Sequence, residues 1–119
     1  MADRKILPEQ VLPHLRAALE TGSNDICFWA AQIATGFPSP ELVVPLENLL
    51  FHNPDADVRF FAAGAIRHIS DERALSALQQ ALLHEQDPEV REILPQSIEE
   101  WHEWKKIREE ENKLASKAE

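Results

Sequence analysis

The chain contains very little cysteine and glycine, and it lacks long apolar runs. Cys27 is the one cysteine among 119 residues, so no internal disulfide can form, a composition typical of a reducing compartment. Three glycines are too few for a Gly-rich phosphate-binding loop. The apolar runs are too short to cross a bilayer, and the first residues do not resemble a signal peptide. These absences predict a cytoplasmic protein that does not bind membranes.

Basic residues are also in the minority. Lysine and arginine number 12 against 21 acidic residues, which gives a formal net charge of −9. That balance repels DNA and RNA, so we expect no nucleic-acid partner. Hydrophobic residues make up 44% of the chain, enough for a core, and the length suits one domain over residues 1–119. The composition therefore favours a protein partner with a neutral or basic surface.

One phrase of sequence occurs three times at a constant spacing of 32 residues. The copies are SNDICFWAAQIA from Ser23, DADVRFFAAGAI from Asp55 and DPEVREILPQSI from Asp87. Each copy begins with a good helix N-cap, and a carboxylate follows in the first turn, where the helix dipole favours it. Apolar residues then recur at helical spacing. We call the predicted helices the B helices, at residues 24–36, 56–69 and 88 onward.

The segments between these phrases repeat with the same period and predict a second set, the A helices, at residues 8–20, 40–52 and 72–84. Prolines at the first helical position or N-cap residues open them. No segment alternates with a period of two, so no strand is expected. The chain is thus predicted to form three antiparallel helix pairs that stack around a continuous core. The first buried position of each B helix is predicted to hold Ile26, Val58 and Val90.

The repeated phrase resembles HEAT-like repeats, specifically the short kind first noted in phycobilin lyases. Residues 87–91 match the family's acid-Pro-acid-Val-Arg opening, and residues 57–66 match its fuller form with paired alanines. The resemblance implies an all-α fold, a right-handed α-solenoid of three helix pairs that usually binds other proteins. The repeats would span residues 7–36, 39–69 and 71–101, and a charged helical extension would follow over residues 102–119.

The resemblance also implies that the B helices line the concave side, where a partner would bind. A helical wheel places Phe28 and Phe60 outward at matched positions, together with Ala31 and Ala63. Two interpretations of the rings stay open: they form an apolar patch for a partner, or they tilt into the grooves between neighbouring B helices and complete the core. The candidate contact residues on this face are Phe28, Gln32, Arg59, Phe60, Gly64, Arg67 and Glu92.

The C-terminal segment is predicted to continue the last B helix to about residue 115, because apolar residues recur every three or four positions without a breaker after Pro95. Trp101 falls in the column of Ile69 and is expected to cap the core. Trp104 and Ile107 lie beyond the repeats. They either fold back along repeat three or dock on a partner or a second copy, so the chain is expected to be a monomer or a weak homodimer.

Two His-Glu pairs, His84-Glu85 and His102-Glu103, raise the possibility of a metal enzyme. Deoxyhypusine hydroxylases, which are also built from HEAT-like repeats, bind two irons with four such pairs at matched positions, a pattern not met here. We therefore expect no metal, no cofactor and no catalytic residue, and we favour a non-catalytic adaptor. The alternatives are an enzyme subunit or helper, of the bilin-lyase or His-Glu hydroxylase kind, and a structural module that self-associates.

Overall fold

The computed structural model describes residues 7–117, and this part of the chain is helical, without a strand. The all-α fold class predicted from the repeats is confirmed. A short 3-10 turn, Pro40–Leu42, precedes the third helix. The helices are α1 (Pro8–Thr21), α2 (Asn24–Ala34), α3 (Val43–His52), α4 (Ala56–Ile66), α5 (Glu72–His84) and α6 (Pro88–Lys117).

The helices begin where the sequence places their caps. The side chains of Ser23, Asp55, Asp71 and Asp87 each accept a hydrogen bond from a backbone N–H two or three residues further on, at distances between 2.8 and 3.4 Å. These bonds satisfy donors that have no partner inside the helix. The period of 32 residues therefore repeats the start of each B helix in the structure.

The helices form two layers. The A helices α1, α3 and α5 make one layer, the B helices α2, α4 and α6 make the other, and each B helix packs on its own A helix and on the next B helix. The core lies between the layers. Its fully buried members include Leu42, Leu46, Val58, Ile66, Leu78, Val90 and Leu94.

The last helix is the longest. α6 runs through Pro95 without a break for 30 residues, about 45 Å at 1.5 Å per residue. Its first four turns pack against α4 and α5, whereas every residue from 109 to 117 is exposed. Among the described residues, no helix combines the length and hydropathy needed to span a bilayer.

Candidate functional site

Each B helix has four sides, and burial along the repeat shows what each side faces. Positions that face the A helices are buried in all three repeats: Ala30, Ala62 and Leu94 form one such column. At 3.6 residues per turn, the two flanks of the helix face the B helices before and after it. We call the side opposite the A helices the inner face.

The flank toward the following repeat contains Phe28. Its ring lies edge-on to Phe61 of α4, with 5.1 Å between the ring centroids, and it packs against the core. Ala31 and Ala63 share this flank and are fully buried, so their predicted outward position is wrong. The small alanines allow adjacent B helices to approach closely. Phe28 thus lies in the groove between two B helices, the second of the two interpretations left open by the sequence.

In repeats two and three, the flank toward the preceding repeat is buried or half-buried. Val58 and Val90 are fully buried, as predicted. Ile26, in the same column, is 50% exposed, so the prediction that it is buried is wrong. Repeat one has no described helix before it to cover that position. Trp29 and Ile33 of this flank are exposed for the same reason, at 61% and 50%.

The inner face is polar at its centre. Gln32 and Gly64 occupy one column of it, and both are half-buried. A Cβ added to Gly64 would meet no atom within 4 Å, so this position is open to a partner. Glu92, in the column of Phe28 and Phe60, is exposed where the inner face of repeat three meets the flank that points away from repeat two. Next to the column of Gln32 and Gly64, each repeat contributes one exposed carboxylate to a row. The row consists of Asp25, Asp57 and Glu89.

The ring of Phe60 borders the inner face. It is half-buried, packs against the core and lies edge-on to Phe61 at 5.5 Å between centroids. The exposed part of the ring is the apolar component of an otherwise polar surface. Part of the Phe60 ring therefore completes the core, and part remains accessible to solvent.

Arg59 is bound internally. Its Nε and Nη2 donate to the two carboxylate oxygens of Glu85 at 3.0 and 3.1 Å, and its Nη1 donates to the carbonyl oxygen of Asn53 at 2.9 Å. Burial by itself would raise the pKa of Glu85. The Arg59 hydrogen bonds and the backbone N–H groups of Asp87 and Gln86 outweigh it and lower that pKa. The structure thus gives Arg59 a role in joining repeats two and three.

Arg67 is also paired within the chain. Its Nε lies 3.3 Å from Glu100 Oε2, and both side chains are partly exposed. The neighbouring His68 is half-buried, and burial together with the Arg67 charge lowers its pKa. His68 is therefore neutral at pH 7, and its ring faces Trp104 at 6.1 Å between centroids.

A cleft of about 460 Å³ lies where the C-terminal ends of α3 and α5 meet. The Arg59–Glu85 pair forms part of its wall, and His52 and His84 lie at its edge. No pattern in the sequence predicts this cleft. The sequence offers one signal, because His52 and His84 occupy matched positions in their repeats. Other residues of the wall, such as Arg59 and Glu85, occupy unrelated positions in the repeat.

The start of the helical extension folds along repeat three. Trp101 is buried and caps the core, as predicted. Lys105 Nζ lies 3.0 Å from Glu72 Oε1 at the start of α5, which ties the helix to that end of the A layer. Trp104 and Ile107 are each 43% exposed and form the last apolar positions before the exposed end of α6.

The described residues contain no group of three or more His, Cys, Asp or Glu side chains that could hold a metal ion. In the pair His84-Glu85, the carboxylate is the one bound by Arg59. Cys27 is buried, its Sγ lies 3.5 Å from the Gly22 carbonyl oxygen, and burial raises the pKa of its thiol. The thiol is therefore protonated at neutral pH and poorly nucleophilic.

Comparison with known proteins gives one result that bears on the whole repeat array. A family model of HEAT repeats matches residues 12–99, which include most of all three helix pairs. The chain shows no significant match to a curated protein or to a solved structure.

Proposed function

The chain belongs to the HEAT-repeat family, and from this premise we propose that it is a non-catalytic module that binds another protein. HEAT repeats generally mediate contacts between proteins, and members of the family are typically non-catalytic. The inner face of the B helices is the proposed contact surface. The main observation behind this choice is the open position at Gly64, in the middle of the face and beside the half-buried ring of Phe60.

The chemistry of the inner face favours a partner segment with both apolar and basic side chains. The exposed part of the Phe60 ring provides an apolar contact. The row Asp25, Asp57 and Glu89 extends through all three repeats, and Glu92 adds to it in repeat three. Lysine or arginine side chains would approach this row favourably, which increases the association rate and the specificity of binding.

The remaining candidate residues are proposed to support the contact surface or to add a second contact. Gln32 Nε2 donates to the Phe28 carbonyl oxygen at 3.5 Å, so its side chain lies along the face. Arg59 and Arg67 hold the repeats together through Glu85 and Glu100, and we propose that they support the surface. Trp104 and Ile107 lie outside the repeat array, at the start of the extension, and form a proposed second contact with the same partner.

Gly64 offers a sharp test because both a blocking and a neutral substitution are available. Gly64→Arg fills the open centre of the inner face with a long cationic side chain, without a clash in the core. Gly64→Ala adds one methyl group and should raise stability by up to about 1 kcal/mol, since alanine favours a helix over glycine. Both variants should unfold cooperatively.

The measurement compares which proteins co-purify from the native cell with tagged wild type and with the two variants. The proposal expects a partner that is captured by wild type and by Gly64→Ala but lost with Gly64→Arg. The purified partner should then bind with the same ranking in a titration. If Gly64→Arg captures the same proteins as wild type, the inner face is not the contact surface.

A further inference from the structure

The exposed flank of α2 forms an apolar strip at the N-terminal end of the stack. We call Ile26, Trp29 and Ile33 the end strip. They lie on one side of the helix at spacings of three and four residues, and each is at least 50% exposed within the described structure. Three large apolar side chains in one exposed row are unusual for a protein surface and indicate a contact site.

The repeat itself shows what belongs on such a strip. The matched positions in repeat two are Val58, Phe61 and Ala65. Val58 and Ala65 are fully buried, and Phe61 is half-buried, on the side of α4 that packs against α2. The covering helix contributes Phe28, whose ring meets Phe61 at 5.1 Å, and the fully buried Ala31. The end strip therefore continues, by one step, the series of B-on-B interfaces that builds the fold.

The A layer at the same end is different. In repeat two the α3 region presents Leu42 and Leu46 to the preceding repeat, and both are fully buried. At the matched positions α1 has Gln10 and His14, both exposed. At this end of the stack, the A layer therefore presents polar side chains to solvent, whereas the B layer presents apolar side chains. A complete additional helix pair would not match the surface, but a single helix would.

The C-terminal end of a second copy does not fit the strip. The flank of α6 that would meet a following repeat has Glu92, Pro95 and Glu99 in the columns of Phe28, Ala31 and Thr35, and all three are exposed. Head-to-tail stacking would bury two carboxylates against apolar side chains, which is unfavourable. The charges at this end keep the solenoid from extending itself.

We propose that the end strip binds a single amphipathic helix of another protein, which packs on α2 as α2 packs on α4. The helix would present a large apolar residue, an alanine-sized residue three positions later and a tolerated polar residue four positions after that. Phe28, Ala31 and Thr35 show this pattern within the chain. The site is distinct from the inner face, and its occupant does not depend on the function proposed above.

A stapled peptide is a suitable probe, since an isolated helix of this length is marginal in water. The peptide copies residues 23–36 with Ile26→Lys and Ile33→Lys and carries its staple between positions 25 and 29. It therefore keeps Phe28, Ala31 and Thr35 but lacks tryptophan. Tryptophan emission of the full-length protein reports binding, because Trp29 lies in the end strip whereas Trp101 and Trp104 lie at the other end of the stack. A second peptide with the further change Phe28→Glu serves as the negative control.

Two protein variants separate the strip from the general surface. Ile33→Lys places a charge in the end strip. Leu83→Lys removes an apolar side chain that is 79% exposed and lies outside the strip. The proposal expects saturable binding to wild type, to Leu83→Lys and to Gly64→Arg, with affinity reduced by about tenfold or more in Ile33→Lys. The control peptide should not bind.

Three outcomes would overturn the proposal. The first is absence of saturation up to about 1 mM peptide. The second is equal binding to wild type and Ile33→Lys. The third is a wild-type dimer in sedimentation that Ile33→Lys dissociates and Leu83→Lys does not, since the strip would then bind a second copy instead of a partner helix. Because Gly64→Arg leaves the strip intact, loss of inner-face binding does not affect this result.

Discussion

The indole Nε1 of Trp101 donates a hydrogen bond of 2.8 Å to the backbone carbonyl oxygen of Ile69, which lies exactly one repeat earlier in the chain. Ile69 belongs to the connection after α4, so this bond joins the end of repeat three to the end of repeat two. The same carbonyl oxygen also accepts the Asp71 N–H at 2.9 Å. Trp101 therefore closes the last repeat with an apolar ring and one directed hydrogen bond.

Substitution of Trp101 should reveal both contributions. Trp101→Phe removes the hydrogen bond and part of the ring volume, and it should lower the free energy of unfolding by about 1–2 kcal/mol. Trp101→Ala leaves a cavity and should lower the free energy of unfolding by about 3–5 kcal/mol. Trp104→Phe is the matched control, since that ring is 43% exposed, and it should stay within about 0.5 kcal/mol of wild type. Urea unfolding at pH 7 measures all three, and equal losses at both tryptophans would contradict the assigned role.

The Arg59–Glu85 pair predicts a dependence of stability on pH. Its hydrogen bonds hold the pKa of Glu85 below the value of about 4.3 expected in the unfolded chain. A carboxylate with a lowered pKa contributes stability above the unfolded value, and this contribution is lost as pH falls through the folded value. Glu85→Gln should therefore lower the free energy of unfolding by about 2 kcal/mol at pH 7, and the difference from wild type should shrink below pH 4.

An exposed ion pair on α1 provides the control for this experiment. Arg16 Nε lies 3.1 Å from Glu20 Oε1, and both side chains are about half exposed. Glu20→Gln should change the stability by less than about 0.5 kcal/mol at any pH, because solvent screens such a pair. Unfolding curves measured between pH 3 and 7 compare the two variants, and parallel curves for Glu85→Gln and wild type would argue against the buried pair as the source.

The sequence predicts the helices well because their signals are local. Caps such as Asp55 and Asp71 mark the starts, and the bounds of α5 agree with the prediction at both ends. Trp101 was identified as a core cap because it shares a column with Ile69. Such inferences depend on a residue's own helix and on the period, and neither requires knowledge of how the helices are arranged in space.

The candidate site was harder to predict because the helical wheel treats a B helix as having one buried side. In the stack it has three neighbours, so Ala31 and Ala63 are buried on a flank that the wheel places outward. The prediction for Ile26 is wrong in the opposite direction, since no described helix packs on that flank of α2. Arg59 illustrates a third reason: its partner Glu85 follows a different helix, and no pattern along the chain connects the two.

Cys27 should behave as a reporter of unfolding. The side chain is 3% exposed, and burial raises the pKa of its thiol, so little thiolate reaches solvent in the folded protein. We expect a water-soluble disulfide reagent to react slowly at pH 8 in buffer and to modify one thiol per chain once urea unfolds the protein. The urea midpoint for labelling should match that of circular dichroism. Fast labelling in buffer would mean that repeat one opens locally.

The exposed end of α6 should contribute little to the stability of the stack. Residues 109–117 are all exposed, whereas Arg108 is partly buried and Lys105 bonds to Glu72. Deletion of residues 109–119 should therefore shift the unfolding free energy by less than about 0.5 kcal/mol. A longer deletion, of residues 105–119, also removes the contacts with the A layer and should lower the free energy of unfolding further.

Thermal unfolding compares the two deletions at several protein concentrations. A large, concentration-dependent loss in the shorter deletion would instead show that the exposed turns hold two copies together.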